Sequence, residues 1–152
     1  MSYMEYKFDK FVFKVKKGLL YHDDGCWVEL DGEVAKIGIT DFLQTLNGDI
    51  AFVSLYAPNV SVKQGEGLGD IETMKVSFEL TSPVTGKIIE KNNDLDESPE
   101  LVNNDPYGAG WLLKIMVTNL EEDIKNLKSD EQYFEVMRKK VDEESEKIGK
   151  EQ

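Results

Sequence analysis

The stretch GDIETMKVSFELTSPVTGKI, Gly69 to Ile88, sets a lysine between two runs that both read as strands. After Lys75, the residues Val76, Phe78 and Leu80 alternate with Ser77 and Glu79, the period-two pattern of a strand with one face buried. SPVTGK then reads as a turn, with Gly86 expected at a positive φ, and Ile88-Ile89 belong to the strand that follows. Lys75 is therefore expected at the tip of a tight, exposed hairpin.

A lysine in such a place is by itself an ordinary solvated turn residue, and its flanks sharpen the reading. Asp70, Glu72 and Glu79 lie close in sequence and favour a charged ammonium, which makes Lys75 a poor free nucleophile and a poor Schiff-base former. Acylation of this amine would need an external enzyme to supply an activated acyl group. It would take the chain from a net charge of -12 to about -13 and leave a long flexible arm on a rigid base. A tether of that kind raises the effective concentration of whatever it carries at successive partner sites.

The surrounding chain supplies the base. Gly18 to Ile39 alternates in short apolar runs, and LDGEV (Leu30 to Val34) is a hairpin whose turn residues are Asp31-Gly32. TDFLQTLNGD changes period: Asp41 caps a short helix with Gln44 three residues on, Phe42, Leu43 and Leu46 face inward, and Asn47-Gly48 ends it. Ile50 to Leu55 is a strand, with turns at Pro58-Asn59 and Gln64 to Gly67. A single helical turn is expected at Pro99 to Val102 and a last strand at Trp111 to Val117. Many short strands with Gly and Pro turns indicate a small barrel or sandwich. Beyond Asn119 the period is helical: Ser129 caps, Gln132 completes a capping box, and Tyr133, Phe134, Met137 and Val141 line one face.

The 152 residues suit one domain, divided as an N-terminal extension (1–17), a β core (18–118), a C-terminal helical region (119–141) and a charged tail (142–152) expected to fray. Thirty acidic against eighteen basic residues repel phosphate backbones and anionic membranes, so nucleic acid and membrane are not expected partners. Lys7, Lys10, Lys14, Lys16 and Lys17 do cluster, but Phe11, Phe13 and Val15 alternate with Val12, Lys14 and Lys16, as in an edge strand with a solvated face. No apolar run approaches the roughly 18 residues of a membrane span, and a cytoplasmic location is expected.

Counting removes most catalytic constellations. His22 is the only histidine and Cys26 the only cysteine, so no internal disulfide forms and no multi-histidine metal site is expected. His22 and Cys26, four apart, read as a surface histidine and a buried thiol more simply than as base and nucleophile. Asp23-Asp24 and Glu121-Glu122 read as turn and helix-start charges. GEGLG (Gly65 to Gly69) lacks the spacing of a phosphate cradle and reads as a turn.

Three segments in order carry a family resemblance: WVELDGEVAKIGITDFLQTLNGDIAFVSL, IETMKVSFELTSPVTGKIIEKN and PELVNNDPYGAGWLLKI. Together they resemble the H protein of the glycine cleavage system, from about Tyr21 to Glu135. The resemblance implies a mainly β barrel-sandwich hybrid fold of the lipoyl and biotinyl carrier type, with a short internal helix and a C-terminal helix. It implies lipoic acid joined to Lys75 as an amide, and a non-catalytic monomeric carrier. The implied partners are a glycine decarboxylase, an aminomethyltransferase, a dihydrolipoyl dehydrogenase and a lipoyl-attaching enzyme. Gly25-Cys26-Trp27 stands where the family usually has His-Glu-Trp, and Thr73-Met74-Lys75-Val76 where it has Ser-Val-Lys-Ala. Two other services fit a chain of this build: a lipoyl carrier for a sulfur-oxidation or lipoyl-relay system, and a biotin carboxyl carrier, whose site usually has Met on both sides of the lysine.

Overall fold

A computed structural model describes residues 2–144. A hairpin of β1 (Tyr3–Phe8) and β2 (Phe11–Lys16) is followed by β3 (Leu20–Tyr21), β4 (Cys26–Asp31) and β5 (Val34–Ile39). Helix α1 (Asp41–Asn47) leads into β6 (Ile50–Leu55), β7 (Ser61–Val62), β8 (Gly67–Thr73), β9 (Ser77–Thr81) and β10 (Gly86–Lys91). A 3₁₀ turn (Asn93–Asp96) and the single turn α2 (Leu101–Asn104) precede β11 (Leu113–Val117). Then come α3 (Leu120–Asp123), a second 3₁₀ turn (Ile124–Asn126) and α4 (Asp130–Glu143).

Two sheets face each other, one of order β3-β4-β5-β11-β10-β7 and one of order β6-β8-β9. Period-two alternation sends Val28, Ile37, Ile88 and Ile115 from the larger sheet against Ile71 and Leu80 from the smaller, all of them buried in one cluster. Cys26 belongs to that cluster, and its thiol lies 3.7 Å from the Thr81 carbonyl, joining β4 to β9. Neither sheet closes on itself. The result is the mainly β, barrel-sandwich type of fold expected, with its internal and C-terminal helices.

A second core sits outside this sandwich. The inner face of the β1–β2 hairpin delivers Phe13 and Val15 onto Phe42 of α1 and onto Tyr133, Met137 and Val141 of α4. Tyr21 stacks on Tyr133 with ring centres 4.7 Å apart. Each buried aromatic with a polar end has a partner for it. Tyr21 donates to the Lys16 carbonyl, Tyr107 to the Lys14 carbonyl at 2.7 Å, and Trp27 Nε1–H to the Pro106 carbonyl at 3.0 Å. The capping box of α4 is as read: Ser129 accepts from the Gln132 amide and Gln132 from the Ser129 amide.

Several local readings shift. The cap of α1 is Thr40, whose hydroxyl accepts from the Leu43 amide, while Asp41 accepts from the Lys14 amide of the hairpin at 2.9 Å and from Gln44. The β4–β5 turn is Gly32-Glu33 rather than Asp31-Gly32, because Asp31 pairs with Val34 and Gly32 takes φ +62. Lys16 is buried beside Glu29, not solvated, whereas Val12 and Lys14 are exposed as read. Gly67 and Gly69 lie within β8 at a bulge, so only Gly65 of GEGLG is a turn glycine. Val76 is exposed ahead of β9, α2 begins at Leu101, and β11 begins at Leu113. The short strand β7 and both 3₁₀ turns had no counterpart in the sequence reading. Of the tail expected to fray, Asp142-Glu143 continue α4 and residues from 145 on lie outside the described ones.

Candidate functional site

Lys75 is exposed at the tip joining β8 to β9, where Glu72 pairs with Ser77 and the Thr73 amide donates to the Val76 carbonyl at 2.7 Å. The two-residue turns that suit twisted hairpins need a positive φ. Neither Met74 nor Lys75 has one. Thr73 substitutes for that geometry with its side chain. Its hydroxyl accepts from the Val76 amide at 3.0 Å and from the Lys75 amide at 3.2 Å, and donates to the Val76 carbonyl at 3.0 Å. The Met74 amide donates to the Asp49 carbonyl at 3.0 Å, pinning the tip to the start of β6. A stiff bend with an exposed amine follows from these contacts.

The far end of α1 is the surface on which the lysine rests. Gly48 ends that helix at φ +85, its amide donating to the Gln44 carbonyl. The Lys75 side chain crosses directly over it, so a Cβ at Gly48 would stand 2.8 Å from Lys75 Cε. Lys75 Nζ donates to the Leu46 carbonyl at 3.3 Å, one of the helix-end acceptors left without an amide in the last turn. Asn103 of α2 holds this joint together: its amide nitrogen donates to the Gly48 carbonyl and to Gln44 Oε1, both at 3.0 Å, and its oxygen accepts from the Ile50 amide at 2.9 Å.

The sequence marks neither Thr73 nor Asn103 as part of the site, and it marks Gly48 only as the end of α1. The signal for Thr73 was a hydroxyl two residues before the tip lysine. That for Gly48 was a glycine after a helix, read only as a terminator. Of the acidic flanks, Asp70 faces Glu79 across the β8–β9 ladder, and the Glu79 carboxylate leans over Gly67, away from the tip. Beside the tip, Phe52 on β6 and Met74 are 68% and 77% exposed, so large apolar side chains face solvent close to the lysine.

His22 and Cys26 are not brought together as base and nucleophile. His22 Nδ1 accepts from the Asp24 amide at 3.1 Å, and Cys26 is 1% exposed. Burial pushes the Cys26 thiol up to about 12, with a smaller push from Asp24. That is the opposite of an activated thiolate. Gly25, in the place of the family's histidine, takes φ +104 and packs on Leu43, where a Cβ would come within 2.8 Å. Among the described residues no group of three or more His, Cys, Asp or Glu side chains forms a metal-binding cluster, and no helix is long and apolar enough to cross a membrane.

A family model described as glycine cleavage H-protein matches residues 19–140. The chain belongs to that family. It is 40% identical over 123 residues to the glycine cleavage system H protein of Carboxydothermus hydrogenoformans, covering 81% of this chain and 94% of that protein. It is 44% identical over 128 residues to a probable glycine cleavage system H protein of Pyrococcus abyssi, covering 83% and 94%. The crystal structure of a glycine cleavage system H protein from Mycobacterium marinum superposes with a TM-score of 0.69 at 28% identity, covering 78% of this chain and 95% of that one. The H-protein match contains the Lys75 hairpin, α1 and most of α4, and leaves the β1–β2 hairpin outside it.

Proposed function

We propose that this chain is a lipoyl carrier of the glycine cleavage system and that Lys75 is its attachment residue. The observation that carries the reading is an exposed amine on a bend locked by its own neighbour's hydroxyl, inside the residues that match the H-protein family. Attachment forms a C–N bond between Nζ and the carboxyl carbon of an activated acyl donor, whose leaving group departs as the ammonium gives up two protons. Lys75 then keeps one N–H and no charge, which weakens its hold on the Leu46 carbonyl and frees the arm to swing. Once joined, lipoate supplies a reversible disulfide that carries a one-carbon amine between enzymes.

The chain acts as a carrier and not as a catalyst: its only thiol is buried with a raised pKa, and the residues around Lys75 position a tether. Its partners in this reading are the glycine decarboxylase, the aminomethyltransferase, the dihydrolipoyl dehydrogenase and the lipoyl-attaching enzyme. The test is intact mass and peptide mapping after co-expression with a lipoyl-attaching enzyme and lipoate. One lipoyl group on Lys75 is expected in the wild type and none in Lys75→Arg, whose folding stability should change by less than about 0.5 kcal/mol because the side chain is exposed. A biotinyl mass, acylation at another lysine, or an unmodified wild type overturns the reading.

A further inference from the structure

The corner that carries Lys75 is not fixed by its own sheet. Pairing of β6 with β8 is interrupted between Ile50 and Phe52, and just ahead of that break Gly48 takes φ +85, a conformation open mainly to glycine. Yet residues 48–50 are the ones on which the tip depends. The Asp49 carbonyl accepts from the Met74 amide, Ile50 pairs with Thr73, and Lys75 lies over Gly48. Asn103 holds both ends of this segment: its oxygen accepts from the Ile50 amide, and its nitrogen donates to the Gly48 carbonyl and to Gln44 Oε1. These partners lie 53, 55 and 59 residues away along the chain. One side chain thus makes three hydrogen bonds at a single corner, using both of its N–H donors.

Asn103 is itself anchored on the larger sheet. Its neighbour Val102 is fully buried in the sandwich core. Gly110 runs so close behind α2 that a Cβ there would stand 2.4 Å from the Leu101 carbonyl. The Asn92 side chain, at the end of β10, donates to the Ala109 and Trp111 carbonyls at 2.9 and 2.8 Å, and the Leu112 amide donates to the Ile37 carbonyl of β5 at 2.8 Å. A continuous path therefore runs from β5 and β10 through α2 and Asn103 to the Asp49 carbonyl and the Met74 amide. The attachment tip, although built on the smaller sheet, takes its position from the larger one.

Resting on the lipoyl-carrier reading above, we propose that Asn103 is a positioning residue for the acylation of Lys75, holding the tip in the conformation that the lipoyl-attaching enzyme accepts. It acts through the backbone, since its three hydrogen bonds go to residues 44, 48 and 50 and none of them to the amine. An enzyme that docks on a preformed bend binds only those chains whose bend is formed, so its apparent affinity falls in proportion to that fraction, while the bound complex reacts as before. Loosening this corner raises KM and leaves kcat in place. A general loss of stability does neither while the chain stays folded.

The experiment measures lipoyl transfer from lipoate and ATP by a lipoyl-attaching enzyme, with the full unmodified chain as protein substrate, at a temperature where circular dichroism shows every variant folded. Asn103→Ala removes all three bonds. Asn103→Asp keeps the acceptor for the Ile50 amide but sets a carboxylate oxygen against the Gly48 carbonyl, and it carries the test where Asn103→Ala does not fold. The control, Thr85→Ala, removes a comparable clasp beyond the far end of β9, where the hydroxyl donates to Asp123 Oδ1 and accepts from the Gln64 amide. KM for the protein substrate should rise about five- to tenfold in Asn103→Ala and at least about threefold in Asn103→Asp, with kcat within about twofold of wild type and the control unchanged in both. The Met74 amide should exchange with solvent faster in both Asn103 variants than in the control. A wild-type KM in both Asn103 variants overturns the proposal, as does an equal rise in KM in Thr85→Ala. So does a fall in kcat at constant KM, or Met74 exchange at the control rate. A wild type that takes up no lipoyl group overturns the carrier reading and this proposal with it, whereas a lipoylated wild type whose Asn103 variants match it overturns the proposal alone.

Discussion

Thr73 is the side chain on which the geometry of the tip turns, and the letters TMKV show of it only a hydroxyl two residues ahead of the lysine. A threonine at the end of a strand is common because β-branched residues suit strands, and only the turn conformation reveals that its hydroxyl replaces a backbone carbonyl as acceptor for Val76. Thr73→Val keeps the shape and removes that hydroxyl. Stability should fall by about 1 to 2 kcal/mol in denaturant unfolding, and the amides of Lys75 and Val76 should exchange with solvent faster than in the wild type. An unchanged exchange rate at both amides would remove Thr73 from its role. Lys75 itself was legible because a charged residue flanked by two period-two runs has few places to go but a bend.

Gly86 and Phe13 show how elements meet. The motif SPVTGK points to a turn glycine in need of a positive φ, yet Gly86 opens β10 in extended backbone, and a Cβ there would run into the Met116 carbonyl of β11. The requirement is close approach across a ladder. Gly86→Ala should cost about 1 to 3 kcal/mol, read from the denaturant midpoint, since the carbonyl that must yield is itself held in the sheet. Phe13 lies 1% exposed with its ring edge-on to Phe42 at 5.8 Å. Phe13→Ala should cost about 3 to 5 kcal/mol, with the m-value unchanged if the hairpin stays docked. A drop near zero would mean the hairpin is not part of the core. The cap of α1 carries a related lesson. Thr40 and Asp41 both suit a cap, and the sequence reading chose the aspartate. The structure uses Thr40 because its amide is anchored on the Gly25 carbonyl while Asp41 is drawn to the hairpin.

Charge and buried phenols set how the folded molecule answers to its medium. Burial is the largest cause raising the phenols of Tyr21, Tyr107 and Tyr133 above their ordinary value of 10.0, Tyr133 to about 12. Folded chains thus hold these protons more tightly than unfolded ones. The stability they contribute is full below about pH 10 and is lost as pH rises through 10 towards and beyond 12. Melting temperature should be level from near neutrality to about pH 9 and fall steeply above 10, and Tyr133→Phe should make the fall shallower. A melting temperature that holds level to pH 12 would contradict it.

The strand alternation, the α4 capping box, the tip lysine and the family motifs are set by neighbours a few residues apart, so the linear chain sufficed to determine a mainly β carrier with its candidate attachment point. What the tertiary structure alone decided are contacts between residues far apart in sequence: Lys75 resting on Gly48, Asn103 clasping the end of α1, Asp41 taken by Lys14, and the β1–β2 hairpin packed onto α1 and α4. Local rules specify which dihedrals and faces a segment prefers. They do not specify which distant carbonyl or ring will be its neighbour, because that is settled by how the whole set of buried faces packs together.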